Sequence, residues 1–286
     1  MTLSIQDGRQ HVRHPGPPSL PRYFYIEGNA KRKQLTLAKG ENLATAIAQE
    51  MNKNGADSAV ALLDGVVLSS ACYLTPGAPK NAEHAAWYSD KFYTADVRID
   101  NGTAIIGRKN GEWFLHCHAL WHDIKTQQSC AGHLLTDQSV LGDNCTIEII
   151  AFSGAAFEAT FDPETNFTLF KAVQREPTKP KNAALINIKP HEDLRGTIDA
   201  ICTELQIKSG RIFGIGSIIG AEFHDAPAMP PYLSEILLRP DVRIENYQCV
   251  SLPLACVDVH HAIFIGDLKK NAGPVLVTAE LLLLAD

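Results

Sequence analysis

The sequence predicts an α+β protein of two similar halves, each an antiparallel or mixed β-sheet with one main helix placed early. Three observations carry this. LTLAKGENLATAIAQEM, from Leu35, is answered by INIKPHEDLRGTIDAIC, from Ile186, and each reads as alternating strand, polar turn and amphipathic helix. Each helix is then followed by a small-residue apolar strand, SAVALLDGVVLSSACYL from Ser58 and GRIFGIGSIIGAEFHDA from Gly210. Finally, DVRIDN at Asp96–Asn101 returns as DVRIEN at Asp241–Asn246, with five identities in six positions.

Taken in order, residues 1–29 form an extended, polar, proline-rich leader, expected to be poorly structured. Within it RHPGP, Arg13–Pro17, is held extended by its prolines and places His14 where it could reach a neighbouring surface. The first domain spans 30–173. Its helix carries Leu43, Ala46, Ile47, Ala48 and Met51 on one face, and the domain ends in the strand-like TIEIIAF, Thr146–Phe152. QREPTKPKN, 174–182, with two prolines and three basic residues, is the linker. The second domain spans 183–286. Its helix presents Leu194, Ile198, Ile201, Cys202 and Leu205, and it closes on TAELLLL, Thr278–Leu284. The glycines of GRIFGIGSIIG sit inside a strand-like run and read as close sheet packing rather than a phosphate loop.

Composition narrows the function classes. At 45% hydrophobic and 20% charged the chain is ordinary globular material. It has no apolar run of the roughly 18 residues a membrane span needs, and its first residues hold no apolar export signal, so a cytoplasmic protein without membrane partners is expected. Seven cysteines with no C-x-x-C pair indicate neither a disulfide framework nor a zinc ribbon. The net charge of −6, with Lys31-Arg32-Lys33 as the longest basic cluster, argues against nucleic-acid binding.

The chemistry concentrates in FLHCHALWHD, Phe114–Asp123. Residues two apart in a strand share a face. His116, His118 and His122 therefore lie with Phe114 and Leu120, opposite a core face of Trp113, Leu115, Cys117, Ala119 and Trp121. After the polar IKTQQSCAG, Gly132-His133 reads as the returning strand of a hairpin. An H-x-H pair with a third histidine from the next strand makes a three-nitrogen metal corner at His116, His118 and His133. Neutral imidazoles suit zinc, and three of them leave a fourth position for water or ligand. His122, near the strand end, is a candidate for supporting one of the ligands.

FLHCHALWHD followed by AGHLL, Ala131–Leu135, resembles the signature of the plants-and-prokaryotes-conserved (PPC) domain family, whose bacterial members carry an H-x-H strand, a turn and G-G-H-L. Here Ala131 replaces the first of those glycines, and the turn is longer than the family's. The resemblance covers residues 30–172 well and 183–286 more weakly. It implies a strand–helix–sheet sandwich, self-association as a dimer or trimer, and a metal, zinc, on the three histidines. The wider fold group includes acetolactate decarboxylase, a zinc enzyme. In the second half the matching stretch is VDVHHAIFIGDLKKNAGPVLVTAE. There one histidine persists, His260 or His261, while Gly273-Pro274 replaces G-H, so the second copy lacks the metal corner. It would supply sheet-to-sheet packing, and His260 or His261 could reach the first copy's site.

Further candidates surround the corner. His84 and Tyr88 in EHAAWYSD, four apart, would share a face if that segment is helical. Arg108, with Arg98, could offer a fork to an anionic ligand. Asp123 and Glu148 are the acidic groups nearest in sequence and could orient an imidazole. The function expected is metal binding, with zinc-dependent hydrolase or lyase chemistry on a small anionic or carbonyl-bearing molecule. A regulatory DNA-binding protein is the second reading, although the R-G-R-P core of the plant relatives is missing. A non-catalytic metabolite sensor is the third.

Overall fold

A computed structural model describes residues 12–286 of the chain; residues 1–11 of the expected leader lie outside them. The first half runs β1 (Tyr23–Leu37), α1 (Leu43–Asn54), β2 (Ser58–Leu62), β3 (Val67–Leu74) and the two-residue strands β4 (Pro76–Gly77) and β5 (Trp87–Tyr88). Then come β6 (Phe92–Lys109), β7 (Glu112–Asp123), β8 (Ser129–Leu134), β9 (Val140–Leu141) and β10 (Cys145–Ser153), with a hairpin of β11 (Ala155–Phe161) and β12 (Thr168–Gln174). The second half runs β13 (Ala183–Ile188), α2 (Leu194–Glu204), β14 (Ser209–Ala221), β15 (Met229–Leu238), β16 (Arg243–Glu245), β17 (Gln248–Ser251), β18 (Pro253–Asp258), β19 (Ile263–Asp267) and β20 (Val275–Ala285). Both halves thus open with strand, helix, strand, as the sequence predicts.

Each helix forms where its ends are paired and one face can be buried. The Asn42 side chain accepts the Thr45 amide at 3.0 Å, and Gly55 closes α1 in the left-handed conformation, φ 65°. The Asp193 carboxylate accepts the Gly196 amide at 2.7 Å to start α2. Leu43, Ala46, Ile47 and Met51 of α1, and Leu194, Ile198, Ile201 and Cys202 of α2, are buried; Ala48 and Leu205 are half-buried.

The sheets stack. One apolar core lies between α1 and the first-half sheet, and another between α2 and the second-half sheet. A third joins the two sheets: Ile105, Ile150 and Phe157 meet Leu185, Ile215 and Leu282. The layer order is helix, sheet, sheet, helix. β1 belongs to both sheets. Residues 29–37 pair antiparallel with β10, whereas residues 23–28 pair with β13. The handover falls at Gly28, where a β-carbon would stand 2.3 Å from the Ser153 carbonyl oxygen.

Three expectations change here. Residues 23–29, assigned to the leader, form the beginning of β1: Tyr23–Ile26 are aromatic and β-branched strand formers, and residues 23–28 pair with β13. Residues 12–22 are packed as well. Arg22 and Ser19 bind the buried Glu164 carboxylate at 2.9 and 3.0 Å, and His14 Nε2 lies 2.7 Å from the Leu276 carbonyl oxygen. DVRIDN and DVRIEN also occupy different places on their ladders. Arg98 lies opposite Val67 of β3, while its counterpart Arg243 lies opposite Ser251 of β17.

The helix considered for EHAAWYSD is replaced by β5, which pairs Trp87 with Gly77 and Tyr88 with Pro76. Among the described residues no helix is long and apolar enough to cross a membrane.

Candidate metal centre

Strand β7 divides its side chains as its period of two requires. Leu115, Cys117, Ala119 and Trp121 enter the core beneath α1. His116 and His118 take the other face, towards the second-half sheet. Further along that face, Leu120 packs with Ala131 and Val257. β8 returns antiparallel with His133 directly opposite His118 and Gly132 opposite Ala119. A β-carbon at position 132 would meet the Leu74 carbonyl oxygen at 2.4 Å, so only glycine lets β3 close on the β8 edge here.

The three imidazoles form a nearly regular triangle. Ring centroids are 5.0 Å apart for His116 and His118, 4.9 Å for His116 and His133, and 5.4 Å for His118 and His133. One nitrogen from each lies within 4.8 Å of the others.

The second half faces this triangle with two glutamates. Glu280 on β20 is 1% exposed and places Oε2 2.7 Å from His116 Nδ1. Glu235 on β15 places Oε1 3.5 Å from His118 Nε2 and 3.8 Å from His133 Nδ1. Those separations are too long for good hydrogen bonds. Four buried polar atoms of the cluster lack a hydrogen-bond partner: His118 Nε2, His133 Nδ1, Glu235 Oε2 and Glu280 Oε1. The His118 Nδ1–H donates to the Ile236 carbonyl oxygen at 2.8 Å, which fixes the tautomer and leaves Nε2 with a lone pair. Glu280 does the same for His116, in the carboxylate–histidine arrangement that orients metal ligands.

Burial sets the charge state. It drives the His118 imidazole down to about 3, with His116 adding to the effect and the Ile236 carbonyl opposing it. His133 is held well below the usual range by burial and then by His116 and His118. Burial also pushes the Glu235 carboxyl up to about 8, against the pull of the His133 backbone amide. His118 and His133 are therefore neutral at pH 7, the form in which imidazole binds a metal. The chemistry of this donor set and its four orphaned atoms fit a divalent ion, with His116, His118 and His133 as the residues that would hold it.

Tyr88 does reach the site, though from a strand. Its ring meets that of His133 edge-on at 5.2 Å, and its hydroxyl is raised well above its ordinary range by burial and by Glu235 and Glu280. A cavity of about 60 Å³ opens beside His116 and His118, lined also by Trp87, Tyr88, Glu235 and Thr278.

The remaining candidates lie elsewhere. His84 meets Trp87 and Phe167 edge-on, at 4.4 and 4.9 Å between ring centroids, and is not among the residues lining the cavity. His122 is engaged by Asp100 at 2.7 Å beyond the end of the triangle. Asp123 accepts the amides of Lys125 and Thr126, at 2.8 and 2.7 Å, and so builds the β7–β8 turn. Arg108 stacks on Trp113, 3.4 Å from the ring centroid, Arg98 donates to the Gly65 carbonyl oxygen, and Glu148 pairs with Arg32. His260 and His261 sit in the β18–β19 turn, where His261 packs on Phe92 at 5.4 Å; neither belongs to the three-histidine group. The second half reaches the site through carboxylates on strands instead. A sequence signal for them exists: Glu235 and Glu280 are lone acidic residues within the apolar runs YLSEILL and TAELLLL.

No family model matches the chain, and no curated protein matches it. Solved structures do. A metal-containing protein from Archaeoglobus fulgidus is similar at 21% identity and a TM-score of 0.41, over 52% of this chain and 97% of its own. A plant- and prokaryote-conserved (PPC) protein from Pyrococcus horikoshii is similar at 15% identity and a TM-score of 0.37, over 53% of this chain and 97% of its own. Acetolactate decarboxylase from Bacillus subtilis subspecies spizizenii is similar at 12% identity and a TM-score of 0.22, over 45% of this chain and 54% of its own.

Proposed function

We propose that the chain binds a divalent metal ion at His116, His118 and His133, zinc being the metal that three neutral imidazoles suit best, and that the ion acts on a small molecule in the adjoining cavity. The observation that carries this is the set of four partnerless polar atoms buried where the two halves meet. Leaving a buried polar atom unpaired costs about 1–3 kcal/mol, so four in one cluster call for an occupant. A bound metal would polarise an oxygen of the ligand or lower the pKa of a bound water.

The chain's own residues divide the remaining work. Glu280 orients His116, and the Ile236 carbonyl orients His118. Tyr88 and Trp87 shield the cavity from water on one side. Glu235, whose Oε1 lies 3.5 Å from His118 Nε2 and whose Oε2 has no hydrogen-bond partner, is the group placed to hold or accept a proton from the ligand. This arrangement supports hydrolase or lyase chemistry on a small anionic or carbonyl-bearing molecule.

A second reading has one observation in its favour. Glu235 stands close enough to His118 and His133 to become a fourth protein ligand, which would make the metal structural and the protein a sensor or scaffold. DNA binding gains no such support, since Arg32 of the basic cluster pairs with Glu148 and Lys33 binds Asn54. A crystal structure of the zinc-loaded chain, with the ion located by anomalous scattering, tests the choice. Three histidines and a non-protein fourth position are expected; closure by Glu235 would favour the structural role, and an ion located elsewhere would overturn the site.

A further inference from the structure

A second cavity, of about 280 Å³, lies against the metal cavity and shares with it the side chains of Leu169, Val277 and Thr278. Phe170 links the two places: it lines the larger cavity, and its ring stands 6.4 Å from that of His116. The walls mix apolar and polar groups, and the Asn187 and Asp162 side chains are already engaged. The Asn187 amide donates to the Phe170 carbonyl oxygen at 2.8 Å and accepts the Ala172 amide at 2.9 Å. The Asp162 carboxylate accepts the Thr165 hydroxyl at 2.7 Å within its own turn.

Two ammonium groups remain. Lys171 lies over the Phe24 ring, 5.7 Å from its centroid, and Lys189 donates to the Ser19 hydroxyl. The described residues give neither lysine a carboxylate partner, although the whole chain carries a net charge of −6. Two lysines against the single carboxylate of Asp162 leave the cavity lining net positive, next to a metal corner, in a chain that is acidic overall.

We infer that this cavity is the distal half of the ligand site. The ligand is a small acid that presents oxygen atoms to the metal at one end and a second anionic group, carboxylate or phosphate, to Lys171 and Lys189 at the other. The packed arm at residues 12–22 belongs to this subsite, since Ser19 lines the cavity and holds Lys189. This inference rests on the metal-centred reading above. It adds a requirement that reading lacks: a second negative charge on the ligand.

The test compares probes that differ only by the distal anionic group, by calorimetry on the full zinc-loaded chain. 2-Oxoglutarate is set against 2-oxobutyrate for a distal carboxylate, and 3-phosphoglycerate against glycerate for a distal phosphate. At least one doubly charged probe is expected to bind tenfold or more tightly than its partner, and whichever pair shows the gap identifies the anion. Lys171→Ala, at an exposed position, and the Lys171→Ala/Lys189→Ala pair are expected to shrink or abolish the gap while leaving zinc content unchanged. Equal binding within both pairs, no binding of any probe, or a gap that survives the double substitution overturns the inference. Because zinc content is read separately, failure of the metal site and failure of the lysine subsite are distinguishable.

Discussion

Glu280 Oε2 lies 2.7 Å from His116 Nδ1, across 164 residues of sequence, so the second half of the chain orients a candidate metal ligand carried by the first. The triangle of histidines is complete within one half, but its carboxylate support is not.

Glu280→Gln is expected to weaken metal binding by about 10- to 100-fold, the usual cost of losing a carboxylate that orients a ligating histidine. The protein should still fold and still bind metal at saturation. A chelator competition titration of wild type and variant reads the difference, and equal affinities would remove Glu280 from the site.

Glu235→Gln should act in opposite directions with and without metal. In the metal-free protein burial raises this carboxyl from 4.5 to about 8. Its folded-state proton therefore contributes stability that is full below pH 4.5 and is lost as the pH rises through about 8. Glutamine does not titrate, so the metal-free variant should melt a few degrees above wild type at pH 8.5–9. Metal affinity should fall in the same variant. Melting curves between pH 5 and 9 with a chelator present check the first expectation, and a metal titration checks the second.

His118 and His133 titrate the other way. Both are lowered in the folded state from 6.5, His118 to about 3. The unfolded chain thus takes up protons that the folded chain refuses. Stability is full above pH 6.5 and declines as the pH falls towards the folded values. In the Glu235→Gln background, where that opposing carboxyl is gone, the metal-free melting temperature should drop as the pH is lowered from 6.5 to 4.5. A flat profile would show that these imidazoles are not buried neutral.

Asn187→Ala should destabilise the fold by roughly 2–4 kcal/mol, because it leaves the Ala172 amide and the Phe170 carbonyl oxygen of β12 without their buried partner. The loosened β12 also carries Phe170 and Lys171, so ligand binding at the larger cavity should weaken before metal binding does. Urea unfolding and the probe titrations measure the two effects.

Much of the centre was legible because strand periodicity is a local code. FLHCHALWHD assigns its histidines to one face and its apolar residues to the other, and the structure keeps that division from Leu115 to Trp121. His133 was legible because a polar turn followed by glycine announces a hairpin. Glu235 and Glu280 were not, since only the stacking of two sheets brings them to the histidines. A lone acid in an apolar strand hints at burial without naming its partner. His260 or His261 could reach the site on the sequence alone, yet the turn that carries them is outside the three-histidine group, with His261 packed on Phe92. The arm at residues 12–22 reads as disordered by composition, but Glu164, buried at 2% exposure, anchors it through Ser19 and Arg22.

Metal content tests the central claim most directly. Wild type, His118→Ala and His133→Ala are loaded with zinc, dialysed and analysed for zinc per chain, with near-ultraviolet circular dichroism confirming that each is folded. One ion per wild-type chain and none in either folded variant is the expected result. A wild type that retains no zinc or other divalent ion, or a His118→Ala chain that keeps a full equivalent, would contradict it.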